Sequence, residues 1–210
     1  MTRDGDSVML GRWHPNMTLS PSPVMPPRHG ASAIMGPMKT IGFISDTHGT
    51  LDPAAYAALA DSDVIIHAGD IGRPSVLTEL RCLAPTIAVL GNNDFPEYGS
   101  DVDHFATPEI EGVRFLVGHE PIYVTPRAFP QRLKPGDPIP DVIVHGHVHY
   151  PRLEWGPSVR PAKLLLCPGA VLRPRNGSVR AIAKMQVEDG RILRAWVEDL
   201  RGNQLMTFPA

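Results

Sequence analysis

Apolar residues in this chain gather in short runs separated by polar, glycine-containing breaks. Five runs stand out: Ile41 to Ser45, Val64 to His67, Thr86 to Leu90, Val113 to Val117 and Val142 to His145. Each is short and rich in β-branched residues, without the alternation of a half-exposed strand, so each reads as a strand buried on both faces. Between the first three lie Pro53 to Ala60 and Pro74 to Leu83, each with proline in its first turn, which predicts two crossover helices. Strand, helix, strand, helix, strand builds a parallel sheet with right-handed connections. Beyond Asn92 the pattern loosens, and only Arg127 to Leu133 has a helical reading between the fourth and fifth runs. Lys163 to Leu166, Arg180 to Val187 and Arg191 to Val197 then read as strands, with Glu188-Asp189-Gly190 supplying a hairpin turn. A second, largely antiparallel sheet is expected there.

The breaks after the five runs carry metal-type ligands in order: Asp46-x-His48, Gly69-Asp70, Gly91-Asn92, His119 and Gly146-His147-x-His149. In an open α/β sheet, neighbouring strand ends converge on one edge, so these residues are expected to meet. Asp-x-His at the end of a still-extended strand places both side chains on one side. The glycine before Asp70, Asn92 and His147 is expected to ease a sharp turn, letting the next side chain point over the edge. Carboxylate, amide oxygen and imidazole suit Mn²⁺, Fe, Zn²⁺ or Ni²⁺, whereas Ca²⁺ and Mg²⁺ favour more oxygens. Seven candidates exceed one ion's needs. Two ions sharing a carboxylate, about 3.5 to 4 Å apart, can hold a bridging hydroxide and clamp a phosphoryl group.

Composition narrows the partners. The 210 residues are enough for one domain and a tail. Lys and Arg number 20 against 22 Asp and Glu, for a net charge of −2, and they form no basic stripe. No nucleic-acid partner is expected. Cys82 and Cys167 form no C-x-x-C pair and read as buried, reduced thiols. No apolar run reaches membrane-spanning length and no basic region precedes an apolar leader, so no membrane partner and a cytoplasmic location are expected. Residues 1–37, with Pro15, Pro21, Pro23, Pro26, Pro27 and Pro37, read as a disordered Pro-rich extension before a domain at 38–210. Met38-Lys39-Thr40 leads straight into the first strand and is an alternative start.

Five motifs now stand together: ISDTHG at Ile44 to Gly49, HAGD at His67 to Asp70, LGNND at Leu90 to Asp94, GHVH at Gly146 to His149, and CPGAVLRPRNGS at Cys167 to Ser178. This set resembles the calcineurin-like metallophosphoesterases, within them the small bacterial and archaeal phosphodiesterases related to the retromer's vacuolar-sorting subunit. The match runs from about Lys39 to about Val197. The resemblance implies an α/β fold, a four-layer αββα sandwich of two mixed β-sheets flanked by helices, with a dimetal site at the C-terminal strand edges. It implies that Asp46, His48, Asp70 and His149 hold one ion and Asp70, Asn92, His119 and His147 the other, with Asp70 as the bridge. The cofactors would be two divalent transition metal ions, Mn²⁺ first, with Ni²⁺, Zn²⁺ or Fe as alternatives. The reaction would be in-line attack of a bridging hydroxide on a small phosphodiester or other phosphate ester. The competing reading is a catalytically weak or inactive scaffold that uses the fold as a docking surface.

The departures from the family matter too. Asn93 stands where relatives carry the His of their third motif, and a neutral amide contacts phosphate without donating a proton to a leaving group. Glu120 follows His119 where relatives have Gly, and Cys167 and Ala170 replace two polar residues expected near the rim. Arg175, with Arg173 beside it, is the candidate for binding substrate phosphate. His67 and His145 fall on no ligand position and read as core histidines, His145 also as one that could orient a ligand. His104 reads as a solvated loop residue, and His14 and His29 belong to the tail. The substrate is not legible, and a homo-oligomer is compatible with the sequence.

Overall fold

The computed structural model describes residues 37–209, apart from 96, 130–132 and 134. The expected N-terminal extension, residues 1–36 of it, lies outside the described residues. Three strands near the N-terminus, β1 (Lys39–Ile44), β2 (Val64–His67) and β3 (Thr86–Ala88), run parallel, as their alternation with helices predicts. The connecting helices are α1 (Pro53–Ala58) and α2 (Pro74–Arg81), each shorter by two residues than the sequence expectation. Asp52 caps α1 by accepting from the Ala54 N–H at 2.8 Å, and Pro53 supplies a first-turn residue with no amide to satisfy.

The rest of the chain departs from expectation in its pairing. After β4 (Phe105–Ala106), β5 (Glu109–Ile110), β6 (Val113–Gly118), β7 (Val142–Val144) and β8 (Arg152–Trp155) comes β9 (Leu164–Cys167). Then follow β10 (Ala181–Glu188), β11 (Arg191–Asp199) and β12 (Gln204–Phe208). One sheet has the order β12-β11-β10-β1-β2-β3, and the other β4-β6-β7-β9-β8, with β5 paired to β6. The expected antiparallel C-terminal sheet is therefore divided. β10 and β11 extend the first sheet antiparallel to β1, whereas β9 lies parallel to β7 in the second. Burial accounts for the division. β9 (LLLC) is buried throughout and takes an interior place, whereas β11 and β12 carry exposed residues and lie toward an edge.

The central strands are apolar on both faces because both faces are covered. Ile41, Phe43, Ile66, Phe115, Val142, Val144, Leu164 and Leu166 pack between the sheets, where Phe43 and Phe115 meet at 6.2 Å between ring centroids. Each such side chain, fully buried, contributes about 1.5 to 3 kcal/mol. Ile44 and Ile65 turn the other way, under Ala55, Leu59, Val76, Leu77 and Leu80 of the helical layer. Leu116, Ile143 and Leu165 face outward from the second sheet onto Val124, Phe129, Val159 and Ala162. That fourth layer is thin. Among the described residues it is built from 3-10 turns at Pro121–Tyr123, Pro126–Ala128 and Pro157–Val159. The helix expected over Arg127 to Leu133 falls partly outside the described residues. Cys167 is buried at the end of β9, but Cys82 is exposed, contrary to expectation, because it caps the outward side of α2.

Candidate metal centre

Strands β1, β2 and β3 of one sheet and β6 and β7 of the other all end at the same edge, and their following loops interlock. The Asp46 N–H donates to Gly69 O at 3.0 Å, His48 N–H to Asp70 O at 2.9 Å, and Gly49 N–H to Ile71 O at 2.7 Å. Asp94 then gathers the loops: its carboxylate accepts from the N–H groups of Ile71 (3.0 Å), Gly72 (2.8 Å) and Gly91 (2.8 Å) and from the Tyr98 hydroxyl (2.9 Å). On the opposite sheet, Gly146 N–H donates to His119 O at 3.0 Å, and His147 N–H to Asp46 Oδ2 at 3.2 Å.

This interlocking has a backbone cost. Asp46, His48, Asp70, His147 and His149 all have positive φ, between 46° and 69°. Side chains with a Cβ rarely adopt that region, and each such residue costs on the order of 1 to 3 kcal/mol. The expectation of a still-extended Asp46-x-His48 is thereby corrected: β1 ends at Ile44, and the two side chains are aimed by left-handed turns pinned to the next loop. The glycines are explained differently too. Gly69 has φ +88°, but Gly91 and Gly146 do not have positive φ. A Cβ at Gly91 would strike Asp70, and one at Gly146 would lie 2.7 Å from Ala68 O. They are there because another loop passes against their backbone.

Ligand atoms of Asp46, His48, Asp70 and His149 all lie within 4.8 Å of one another. Asp46 Oδ1 is 3.0 Å from His149 Nε2, and His48 Nε2 is 3.4 Å from His149 Nε2 and 3.8 Å from Asp70 Oδ2. On the other side of Asp70, His119 Nε2 is 3.4 Å from Oδ1. His147 Nδ1 lies 2.9 Å from Asn92 Oδ1, and the His119 and His147 rings meet edge to face at 5.2 Å. Asp70 thus has His48 near one carboxylate oxygen and His119 near the other.

Backbone carbonyls set the tautomers. His119 Nδ1 faces Ala68 O at 2.8 Å and His149 Nδ1 faces Arg173 O at 2.9 Å, so in the neutral ring each Nδ1 carries the proton and leaves Nε2 as a lone pair. Asp46 Oδ1 and His119 Nε2 are buried without a hydrogen-bond partner. A buried polar atom left unpaired costs about 1 to 3 kcal/mol, which a bound cation would offset. Together with the mixed carboxylate, amide and imidazole donors, these orphaned atoms fit a pair of divalent transition-metal ions.

Burial would raise the Asp70 carboxyl pKa, but the His119 imidazole and the two Asn93 donors outweigh it and hold it well below the usual carboxylate range. His119 answers in the other sense: burial would lower it, and the Asp70 and Asp46 carboxylates prevail and raise it. The Asp46 carboxylate likewise raises His149.

The histidines read as core residues behave as such. His67 is held down at about 4 by burial; its Nδ1 accepts from Gly69 N–H at 3.2 Å and its Nε2 meets Thr47 Oγ1 at 2.9 Å. Burial also brings His145 to about 4; its Nδ1 bonds Gly146 O at 2.9 Å and its Nε2 faces Arg152 Nη1 at 3.3 Å. Both steady the loops that carry ligands.

Asn93, the candidate phosphate contact, is tied to Asp70 while lining the cleft. Its amide donates to Asp70 Oδ2 at 2.7 Å and its backbone N–H to Oδ1 at 3.0 Å. Arg173 and Arg175 are exposed and, with His48, His149 and Asn93, line an open cleft of about 620 Å³ that has no carboxylate in its wall. Cys167 and Ala170 are fully buried, so the replaced polar residues are not on the rim. Sequence reasoning missed Asp94, Thr47 and the Arg173 carbonyl. Asp94 was within reach as the acid that closes LGNND, but a backbone carbonyl has no sequence signal.

Two interlocked groups of carboxylate, imidazole and amide ligands sharing one aspartate, set at the edge of a two-sheet sandwich, define a metallohydrolase type of centre. The chain belongs to the calcineurin-like phosphoesterase superfamily, whose domain model matches residues 38–190. It is 37% identical over 142 residues to a probable metallophosphoesterase of Methanothermobacter thermautotrophicus, covering 64% of this chain and 78% of that protein. It is 31% identical over 193 residues to a probable metallophosphoesterase of Methanocaldococcus jannaschii, covering 89% and 94%. Among solved structures, Vacuolar Protein Sorting 29 from Cryptosporidium parvum shares the fold, with a TM-score of 0.63, 19% identity, and coverage of 81% of this chain and 98% of that one. Among the described residues, no helix is long and apolar enough to cross a membrane.

Proposed function

We propose that the chain is a metal-dependent phosphodiesterase. Asp46, His48, Asp70 and His149 hold one divalent ion, and Asp70, Asn92, His119 and His147 hold a second, with Mn²⁺ the first choice. The observation that carries this reading is the pair of buried, unpartnered atoms, Asp46 Oδ1 and His119 Nε2, on opposite sides of Asp70. When bound, such a pair of ions supplies an activated water and stabilises charge on the phosphoryl oxygens. The chain's own residues do the positioning. Ala68 and Arg173 carbonyls fix the His119 and His149 tautomers, Asn93 orients both oxygens of Asp70, and the Arg173–Arg175 cleft attracts an anionic ester. A small phosphodiester is the substrate class, attacked in line with its leaving group.

The test is a metal-by-substrate screen on protein of measured metal content. Mn²⁺-dependent hydrolysis of an activated aryl phosphodiester is expected, with its loss in Asp70→Asn while the fold stays intact. Undiminished hydrolysis in that variant would remove the mechanism. A second reading, a docking scaffold, draws on the fold shared with Vacuolar Protein Sorting 29. It predicts purified protein without bound transition metal and no activity on adding Mn²⁺, Ni²⁺ or Zn²⁺.

A further inference from the structure

The third-motif position holds no proton donor for a leaving group, since the neutral amide of Asn93 cannot give up a proton and is bonded to Asp70. An alkoxide leaving group needs one, and proton transfer from a positioned side chain contributes about 10² to 10⁴ in rate. His104, which reads in the sequence as a solvated loop residue, lines a cavity together with Asn92 and His119.

The segment around it is stitched to both sheets. Leu90 N–H donates to Asp103 O at 2.9 Å, and Val89 and Asp103 form a parallel bridge. Phe105 pairs with Gly118 and Ala106 with Val117 in antiparallel register. His104 is thereby set between the chain leaving β3, which leads to Asn92, and the end of β6, which leads to His119. A cavity of about 320 Å³ opens there, lined by His104, Asn92, His119, Phe105, Glu120 and Tyr123 among others, and it shares no residue with the Arg173–Arg175 cleft. The His104 side chain is exposed, and its imidazole makes no hydrogen bond to a described residue. What is bonded is its backbone N–H, to Asp103 Oδ1 at 2.6 Å.

We propose that His104 is the catalytic acid of the site, and that the cavity beside His119 receives the leaving group. The inference rests on the phosphodiesterase reading above. As the oxygen of the attacking water, having released one proton to solvent, bonds to phosphorus, the bond from phosphorus to the leaving oxygen breaks, and that oxygen's electron pair takes the imidazolium proton of His104. The neutral imidazole is then reprotonated from solvent. Imidazole is the side chain most used for such transfers near neutral pH. Glu120 and Tyr123 are the other proton-bearing neighbours lining the cavity, apart from the ligand His119.

The experiment compares two diesters that differ only in leaving group, a nitrophenolate and a simple alkoxide, on the Mn²⁺-loaded full chain. His104→Ala should slow the alkyl ester about 100-fold or more and the nitrophenyl ester less than about 5-fold, since a good leaving group departs without a proton. Mn²⁺ affinity of the metal-free protein, read by calorimetry, should be unchanged. His104→Gln keeps an N–H donor but cannot give up a proton, and should match His104→Ala on the alkyl ester. Four results would overturn the proposal: equal loss on both esters, rescue by His104→Gln, a leaving-group dependence carried instead by Glu120→Gln or Tyr123→Phe, or a wild type that cleaves the nitrophenyl ester alone. Hydrolysis of neither ester by the loaded wild type would instead overturn the phosphodiesterase reading itself.

Discussion

Asn93 holds both oxygens of Asp70 at once, its backbone N–H on Oδ1 at 3.0 Å and its amide on Oδ2 at 2.7 Å. The two donors help keep the carboxyl ionised against its burial. Oriented in this way, Asp70 presents its remaining lone pairs to the His48 side and to the His119 side. A residue with no acid chemistry of its own therefore serves the site by fixing its central carboxylate.

Truncating that support should weaken metal binding without unfolding the protein. Asn93→Ala removes the bond to Oδ2 and leaves the backbone bond to Oδ1. Loss of such a supporting partner costs about 10- to 100-fold in metal affinity. Calorimetric titration of metal-free protein with Mn²⁺ measures it, and an unchanged affinity would mean that the backbone bond alone orients Asp70.

Asp94 is expected to matter more for stability than for chemistry. It accepts from three backbone N–H groups on two different ligand loops and from Tyr98. Asp94→Ala strands those donors, and the expected loss is about 3 kcal/mol, with Asp94→Asn recovering part of it. Urea unfolding of the metal-free forms provides the readout; a loss under about 0.5 kcal/mol, the level of an ordinary surface change, would contradict the role.

Gly69→Ala should act on one ion more than on the other. A Cβ there would lie 2.6 Å from His119 Nδ1, at a φ of +88° that alanine resists. His119 must move away, and with it the bond to Ala68 O that fixes its tautomer. Bound metal, measured by elemental analysis, is expected to fall from two ions per chain toward one. Two tightly held ions in the variant would show that His119 is dispensable.

Acid should destabilise the metal-free protein between pH 6.5 and 4 through His67. Burial holds this imidazole down at about 4, whereas the unfolded chain protonates it near 6.5. Between those values the unfolded state binds more protons, so stability rises with pH. The contribution is complete above 6.5 and is lost toward pH 4, amounting to about 3 kcal/mol. His145, lowered for the same reason, adds to the fall. His119 and His149 are raised, so their contribution is complete below 6.5 and changes above it, outside this window. Asp70, lowered, is lost only at more acid pH. Unfolding free energies at pH 6 and pH 4.5 should differ less in His67→Gln than in the wild type, and equal slopes would show that His67 does not carry the effect.

Much of this was legible in residues alone. The five apolar runs became strands, three parallel in one sheet and two parallel in the other, because strands buried on both faces leave a continuous apolar signature. Asp46, His48, Asp70 and His149 come together because the strand ends of the two sheets converge on a common edge, where their loops interlock. Other elements left a fainter trace. β8 and β12 are partly exposed strands with mixed composition, and the β9 to β10 division between sheets depends on which neighbours a run finds, not on its own pattern.

The sequence by itself determined the candidate ligand types, their order and their attachment to strand ends, because those follow from local periodicity and from the chemistry of individual side chains. It also exposed the missing donor at Asn93. Tertiary structure alone decided how the ligands are aimed. Left-handed turns at Asp46, His48 and Asp70 persist because N–H groups of one loop bond to carbonyls of the next, and Gly91 and Gly146 are small because other loops press on them. It also placed His104 and His119 in the wall of one cavity. Residues 103 and 105 are stitched to different sheets, and such pairing between segments distant in sequence has no signature in the order of residues along the chain.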